Sequence, residues 1–197
     1  MTDSLDALFA EIRACRVCAD VLPLGARPVV RGRPTARLAI ISQAPGTRVH
    51  ETGISFNDRS GDRLREWLGV DRETFYDEDR IAILPIGFCY PGVLPNGGDA
   101  PPRRECAPLW QARVLRELPN IRLTLLVGQY AIRWHLRERA AATMTETVRD
   151  WRRHLPRRQF PLPHPSWRTT GWQKREPWFE AETLPDLRRR IARLMKT

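Results

Sequence analysis

RLAIISQAPG, residues 37–46, decides the fold: four apolar residues follow one arginine, and Ser42 and Gln43 then lead into a turn at Pro45-Gly46. A short, unbroken apolar run closed by turn residues reads as a strand buried on both faces, as in a parallel sheet covered by helices. RIAILPIGF (80–88) and LTLLVG (123–128) repeat the pattern, and RQFPLPHP (158–165) is a fourth candidate weakened by its prolines. Helical stretches alternate with these runs: DRLREWLGV (62–70), RECAPLWQARVLREL (104–118), Gln129 to Arg139, TETVRDWRRHL (145–155) and the amphipathic ETLPDLRRRIARLM (182–195). Ahead of them, residues 3–14 place Leu5, Leu8, Phe9 and Ile12 at helical spacing, after possible caps at Thr2 and Ser4. VLPLGARPVVRGRPTA (21–36) reads as loop with a short strand, and PGVLPNGGDAPPRRE (91–105) as a long loop. The alternation predicts a three-layer α/β/α sandwich around a central, mainly parallel four-stranded sheet. No internal repeat or linker divides the chain, so residues 1–197 are expected to form one domain.

Charge narrows the partner. The formal net charge is +10, and of 33 basic residues only Lys174 and Lys196 are lysines. A strong positive field favours polyanions, and arginine's planar fork suits phosphate. Coding bias explains arginine over lysine equally well, but not the excess of base over acid. No apolar run reaches membrane-span length, and MTDSLDALFAEIRAC carries early acids where a secretory signal has basic ones. A cytoplasmic address without membrane attachment is therefore expected, where thiols stay reduced.

The chain's four cysteines are Cys15, Cys18, Cys89 and Cys106. Cys15-x-x-Cys18 lets two thiolates reach one centre from a single turn, and two distant cysteines can complete the set. Spacing alone leaves three readings open: a four-cysteine zinc site, an iron–sulfur cluster, or four unrelated buried thiols packing as small hydrophobes.

In open α/β sheets ligands bind beyond the carboxyl ends of the strands. SQAPG (42–46), GFCYPG (87–92) and LPHPSWR (162–168) stand at three such ends. Ser42 to Gly46 resembles motif one of the uracil-DNA glycosylase superfamily, and His164-Pro165-Ser166 resembles its motif two. TGISFNDRSG (52–61) is similar to the segment carrying the base-stacking phenylalanine. FCYPGVLPNGGDAPPRRECAPL (88–109) is similar to the cysteine-to-cysteine loop of the iron–sulfur branch, family 4, and the cysteine spacing matches. The resemblance runs from about Cys15 to Trp172.

That resemblance implies a monofunctional, monomeric DNA glycosylase of base excision repair, acting on DNA that contains uracil or another deaminated base. Its implied cofactor is a 4Fe–4S cluster held by Cys15, Cys18, Cys89 and Cys106. It makes His164 the donor facing the leaving base and Phe56 the stacking floor. Gln43, Ala44, Pro45 and Gly46 would line the base edge and approach flanking phosphate. Ser166 and Arg168 would grip DNA, with Trp167, Arg168 and Trp172 in the loop that enters the helix, although Trp172 and Trp178 serve equally well as packing anchors. Arg103 and Arg104 would lie against phosphate, whereas Arg152, Arg153, Arg157 and Arg158 read as a solvated basic face.

Two departures qualify the resemblance. Motif one of family 4 is GEAPG, with an acid where this chain has Gln43, so the water-activating carboxylate must come from elsewhere. Asp58 is the expected source, because Phe56 to Gly61 resembles family 5, whose aspartate precedes an x-Ser-Gly turn; this chain is one residue shorter there. Asp58 suits a helix N-cap equally well, and Asn57, Asp62 and His50-Glu51 compete nearby. The second departure is Pro85, four residues before Cys89, where family 4 reads uracil with an asparagine. A wider pocket accepting hypoxanthine or xanthine is one consequence. A damaged-DNA-binding protein with little turnover is the rival reading that Gln43 keeps open.

Overall fold

The computed structural model describes residues 2–95 and 97–196, without the side chains of residues 2–4. Among them, β1 (Leu38–Ile41), β2 (Ile81–Ile83), β3 (Leu123–Val127) and β4 (Gln159–Leu162) form one parallel sheet in the order β2-β1-β3-β4. The central strands β1 and β3 pair from Leu38 opposite Leu123 to Ile41 opposite Leu126. All of β1 and β2 is buried, as their unbroken apolar runs require.

The helices are α1 (Thr2–Ala14), α2 (Thr47–Thr52), α3 (Arg59–Leu68), α4 (Arg72–Tyr76), α5 (Cys106–Arg116), α6 (Gln129–Leu136), α7 (Met144–Arg149), α8 (Thr169–Arg175) and α9 (Leu184–Met195). From β1 to β2 the chain steps one way along the sheet, and from β2 to β3 it steps back. Right-handed crossovers therefore put α3 and α5 on opposite faces. α9 packs with α3, α1 packs with α5, and the result is the three-layer α/β/α sandwich. The core runs from Leu5, Phe9 and Ile12 of α1 through the sheet to Leu187 and Ile191 of α9. No helix among the described residues is long and apolar enough to cross a membrane.

Several local expectations change. The strand expected within residues 21–36 is a single antiparallel bridge, Arg31 to Ile83, which covers the outer edge of β2. Gly32 lets it lie flat there, since a Cβ would come 2.6 Å from that of Ala82. Regular pairing of β2 ends at Ile83 rather than running to residue 88. The Leu84 and Ile86 amides still donate to the Ile40 and Ser42 carbonyls, keeping Pro85 beside the end of β1. Pro161 is tolerated because β4 is an edge strand and residues 158 and 162 of the alternate register face β3. Thr2 and Ser4 lie within α1 rather than ahead of it, and their side chains are outside the described residues. The helix expected over 145–155 divides into α7 and a 3-10 segment, Trp151–Arg157, which carries Pro156.

Candidate active site at the carboxyl ends of the strands

Motif one, the 52–61 segment, the turn after β2, and motif two meet in a cleft of about 510 Å³, counting its solvent-open mouth. Ala44, Pro45 and Gly46 form one wall, Phe56 and Asp58 another, and Pro85, Asp99 and His164 complete it.

Phe56 is buried and holds a left-handed backbone conformation at φ +54. A bulky residue there costs roughly 1–3 kcal/mol, so its surroundings must impose it. They do. Gly61, in the first turn of α3, lies against the Phe56 carbonyl with no room for a side chain. Phe75 of α4 meets the Phe56 ring edge-on at 6.1 Å, and the Tyr76 hydroxyl donates to the Ser55 carbonyl at 2.9 Å. Arg65, almost fully buried, stacks on both Phe75 and Tyr76 and pairs with Asp62. The short helix α4, which has no apolar periodicity to announce it, is thus what fixes the pocket's aromatic surface.

Three titratable groups face the cleft. Asp58 is the N-cap of α3, and its Oδ1 accepts from the Gly61 amide at 2.9 Å. His164 follows β4, and burial pushes its imidazole below the ordinary value of 6.5, although Asp58 and Asp99 pull the other way. A neutral imidazole is therefore favoured, with one N–H to donate. Asp99 comes from the 91–105 loop. Burial pushes its carboxyl above the ordinary aspartate range, with Asp58 reinforcing the shift and His164 and Arg168 opposing it.

The remaining site residues are placed less directly. Gln43 is not among the residues lining the cleft; its Nε2 donates to the Ala100 carbonyl at 3.1 Å. Ser166 and Arg168 lie outside the lining as well. The Ser166 carbonyl accepts from Arg63 of α3 at 2.8 Å, and the Arg168 guanidinium packs over Gly98. Asn57 accepts from Arg72, Asp62 is paired with Arg65, and His50 leans on the Tyr90 ring. None of these three lines the cleft. Trp167 is 78% exposed, whereas the Trp172 indole donates to Thr145 and packs against Trp178 and Phe179. Trp172 is a packing residue, not an entering one.

All four cysteines line a second, largely apolar cavity of about 430 Å³, counting its solvent-open mouth, between the end of α1 and the start of α5. The Cys106 Sγ accepts from the Phe88 amide at 3.3 Å. Burial pushes the thiols up, Cys89 to about 11 and Cys106 to about 12. Among the described residues, no group of three or more His, Cys, Asp or Glu side chains is arranged to hold a metal ion. Tyr90, next to Cys89, accepts at its hydroxyl from Thr47 at the start of α2, 3.0 Å away.

Asp99 escaped the sequence reading because it sits in a glycine- and proline-rich loop that resembles no acid-bearing motif. Its place in the cleft depends on the Val93 to Asp99 bridge within the loop and on the long-range Gln43 to Ala100 bond. A family model described as the uracil DNA glycosylase superfamily matches residues 29–188, most of the chain.

Proposed function

The chain belongs to the uracil DNA glycosylase superfamily, and from that premise we propose that it hydrolyses the N-glycosidic bond of uracil or a related deaminated base in DNA. The observation that carries the reading is the meeting of Phe56, Asp58, Asp99 and His164 in one cleft at the strand ends. Breaking that bond puts positive charge on the sugar and negative charge on the base. Carboxylates and a neutral imidazole donor, gathered in one cleft before the reaction, oppose both charges. The Phe56 face receives the base once it leaves the stack. The enzyme acts as a monofunctional glycosylase. Neither lysine side chain, Lys174 or Lys196, lines the cleft to serve as the amine nucleophile of a lyase step.

Base choice extends beyond uracil. Pro85 lines the cleft with a side chain that has no hydrogen-bonding group, and its carbonyl is engaged by Gln111 at 2.7 Å. A site built to hydrogen-bond a base rejects analogues strongly, whereas an apolar wall discriminates weakly. Hypoxanthine and xanthine are therefore included among the substrates. Trp167, exposed beside Arg168, fills the space the flipped base vacates, as apolar wedges do.

Cys15, Cys18, Cys89 and Cys106 hold a 4Fe–4S cluster. The support is chemical: four thiols line one largely apolar cavity, and a cluster spreads its ligands more widely than a single ion does. When bound, the cluster supplies rigidity to the 89–106 loop, and this chain's own residues carry the reaction.

A panel of oligonucleotides bearing uracil, hypoxanthine, xanthine and thymine mismatches tests the function, scored as alkali-labile abasic sites. Excision of at least one deaminated base is expected. Tight retention of the lesion DNA without product would instead identify a damage-binding protein.

A further inference from the structure

Resting on the glycosylase reading above, we propose that Asp99 is the catalytic carboxylate that activates the attacking water, and that Gln43 is the residue that positions it. The acid missing from position 43 is then replaced from the 91–105 loop, not from Asp58.

The Asp58 carboxylate already has a structural task. Its Oδ1 accepts from the Gly61 amide, which caps α3 and keeps Gly61 under the Phe56 carbonyl. That leaves only Oδ2 for a water, on a carboxylate whose orientation is set by the cap rather than by the substrate. Asp99 also lines the cleft, yet no hydrogen bond to its side chain is found among the described residues. Among the described residues neither of its oxygens is committed to a cap, and both are available to a water in the cleft.

The loop is built to hold it there. Val93 and Asp99 form an antiparallel bridge, the Ala100 amide donates to the Gly92 carbonyl at 2.8 Å, and the Leu94 amide to the Gly98 carbonyl at 2.9 Å. Gly98, at φ +97, leaves room for the Arg168 guanidinium, whose Nη1 would lie 2.6 Å from a Cβ there. The last tie is Gln43, whose amide donates to the Ala100 carbonyl, one residue after Asp99. A glutamate at position 43 has no proton to give that carbonyl when ionised. The amide in motif one and the carboxylate in the loop are two halves of one arrangement.

In the reaction, the water oxygen bonds to C1′ as the C1′–N bond breaks. Asp99 accepts the water's proton, and the bonding pair leaves on the base, which His164 stabilises by donation until the base is protonated. The charged and titratable groups facing Asp99 are His164 after β4, Asp58 at the start of α3, and Arg168. Burial outweighs them in sum and makes the carboxylate a stronger base than an exposed one.

The test is single-turnover excision across pH, on whichever base the wild type removes, for Asp99→Asn, Asp58→Asn and Gln43→Ala. Asparagine caps helices as well as aspartate does, so Asp58→Asn removes charge without uncapping α3. Asp99→Asn is expected to lose about 10²–10⁴-fold in rate with DNA affinity unchanged, and Asp58→Asn less than about tenfold. Gln43→Ala should move the acid limb of the wild-type profile toward lower pH, because a loosened loop rehydrates Asp99. An active wild type with an equally fast Asp99→Asn variant, or a larger loss in Asp58→Asn, overturns this assignment alone. A wild type that removes no base from the panel overturns the glycosylase reading and this inference with it.

Discussion

The carbonyl oxygen of Phe56 occupies the space where a side chain on Gly61 would begin, 1.8 Å from the position of a Cβ. Both partners are backbone, so neither can swing aside. Gly61→Ala must therefore push α3 away from the 52–58 segment or release Phe56 from its left-handed conformation. Overpacking of this kind costs about 1–3 kcal/mol, and the displaced ring should cut excision more than tenfold. Chemical denaturation and excision assays read the two effects. A Gly61→Ala protein with unchanged stability and rate would show that the floor does not depend on this contact.

The cysteine cavity makes a compositional prediction. Purified without oxygen, the protein should contain about four irons and matching sulfide per chain. Cys89→Ser or Cys106→Ser should lose most of the iron and loosen the 89–106 loop, visible as faster amide exchange or proteolysis between those residues. Binding deprotonates thiols that burial otherwise keeps neutral, so reconstitution should release protons and fail at low pH. Stoichiometric zinc without iron in the native protein would overturn the cluster.

His164 is expected to act as a neutral donor. Burial lowers its pKa, so its protonation should not limit activity near the ordinary histidine value of 6.5. His164→Ala removes one donor to the departing base, which costs about 10²–10³-fold in rate. His164→Gln, which keeps a donor, should recover part of that loss. An activity limb at pH 6.5 that vanishes in His164→Gln would mean the imidazole is hydrated and titrating freely.

Trp167 is the natural DNA-contact test because little else holds it: it is 78% exposed, with the Arg168 guanidinium 5.5 Å from its ring. Trp167→Ala should leave thermal stability unchanged and weaken lesion-DNA binding by roughly 1–3 kcal/mol, the range for a base–aromatic contact. Trp172→Ala should do the reverse, because Trp172 packs against Trp178 and Phe179.

What the sequence revealed follows a physical divide. β1 and β3 were legible because burial on both faces demands unbroken apolar runs, and α9 because one buried stripe demands Leu187 and Ile191 at helical spacing. His164, Phe56 and Asp58 were legible because motif residues lie at fixed distances from those strands, and they do reach one cleft. The helices α2, α4 and α8 were missed. Each is one or two turns long and fixed by tertiary contact, too short for apolar periodicity to show. Gln43 was placed at the base edge because its backbone position allows it, but its amide turns toward Ala100 instead. Asp99 was invisible for the same reason: the bond that aims it spans the fold. Side-chain direction in a loop depends on partners far away in sequence.

His135 predicts how stability responds to acid. It lies on α6, where burial first and the charges of Arg137 and Arg139 next push its pKa from 6.5 down to about 4. Its Nε2 is buried without a hydrogen-bond partner among the described residues. Below 6.5 the unfolded chain takes up a proton at this residue that the folded chain refuses, so the unfolded state is stabilised relative to the folded one as pH falls. This contribution to stability is fully present above pH 6.5 and is lost between 6.5 and about 4, at up to about 1.4 kcal/mol per pH unit. A His135→Phe or His135→Gln variant, which carries no titrating group there, should show a flatter stability curve over that window. Denaturant unfolding at half-unit steps from pH 7 to 4 measures both slopes. Parallel curves for wild type and variants would mean that His135 is protonated in the folded protein.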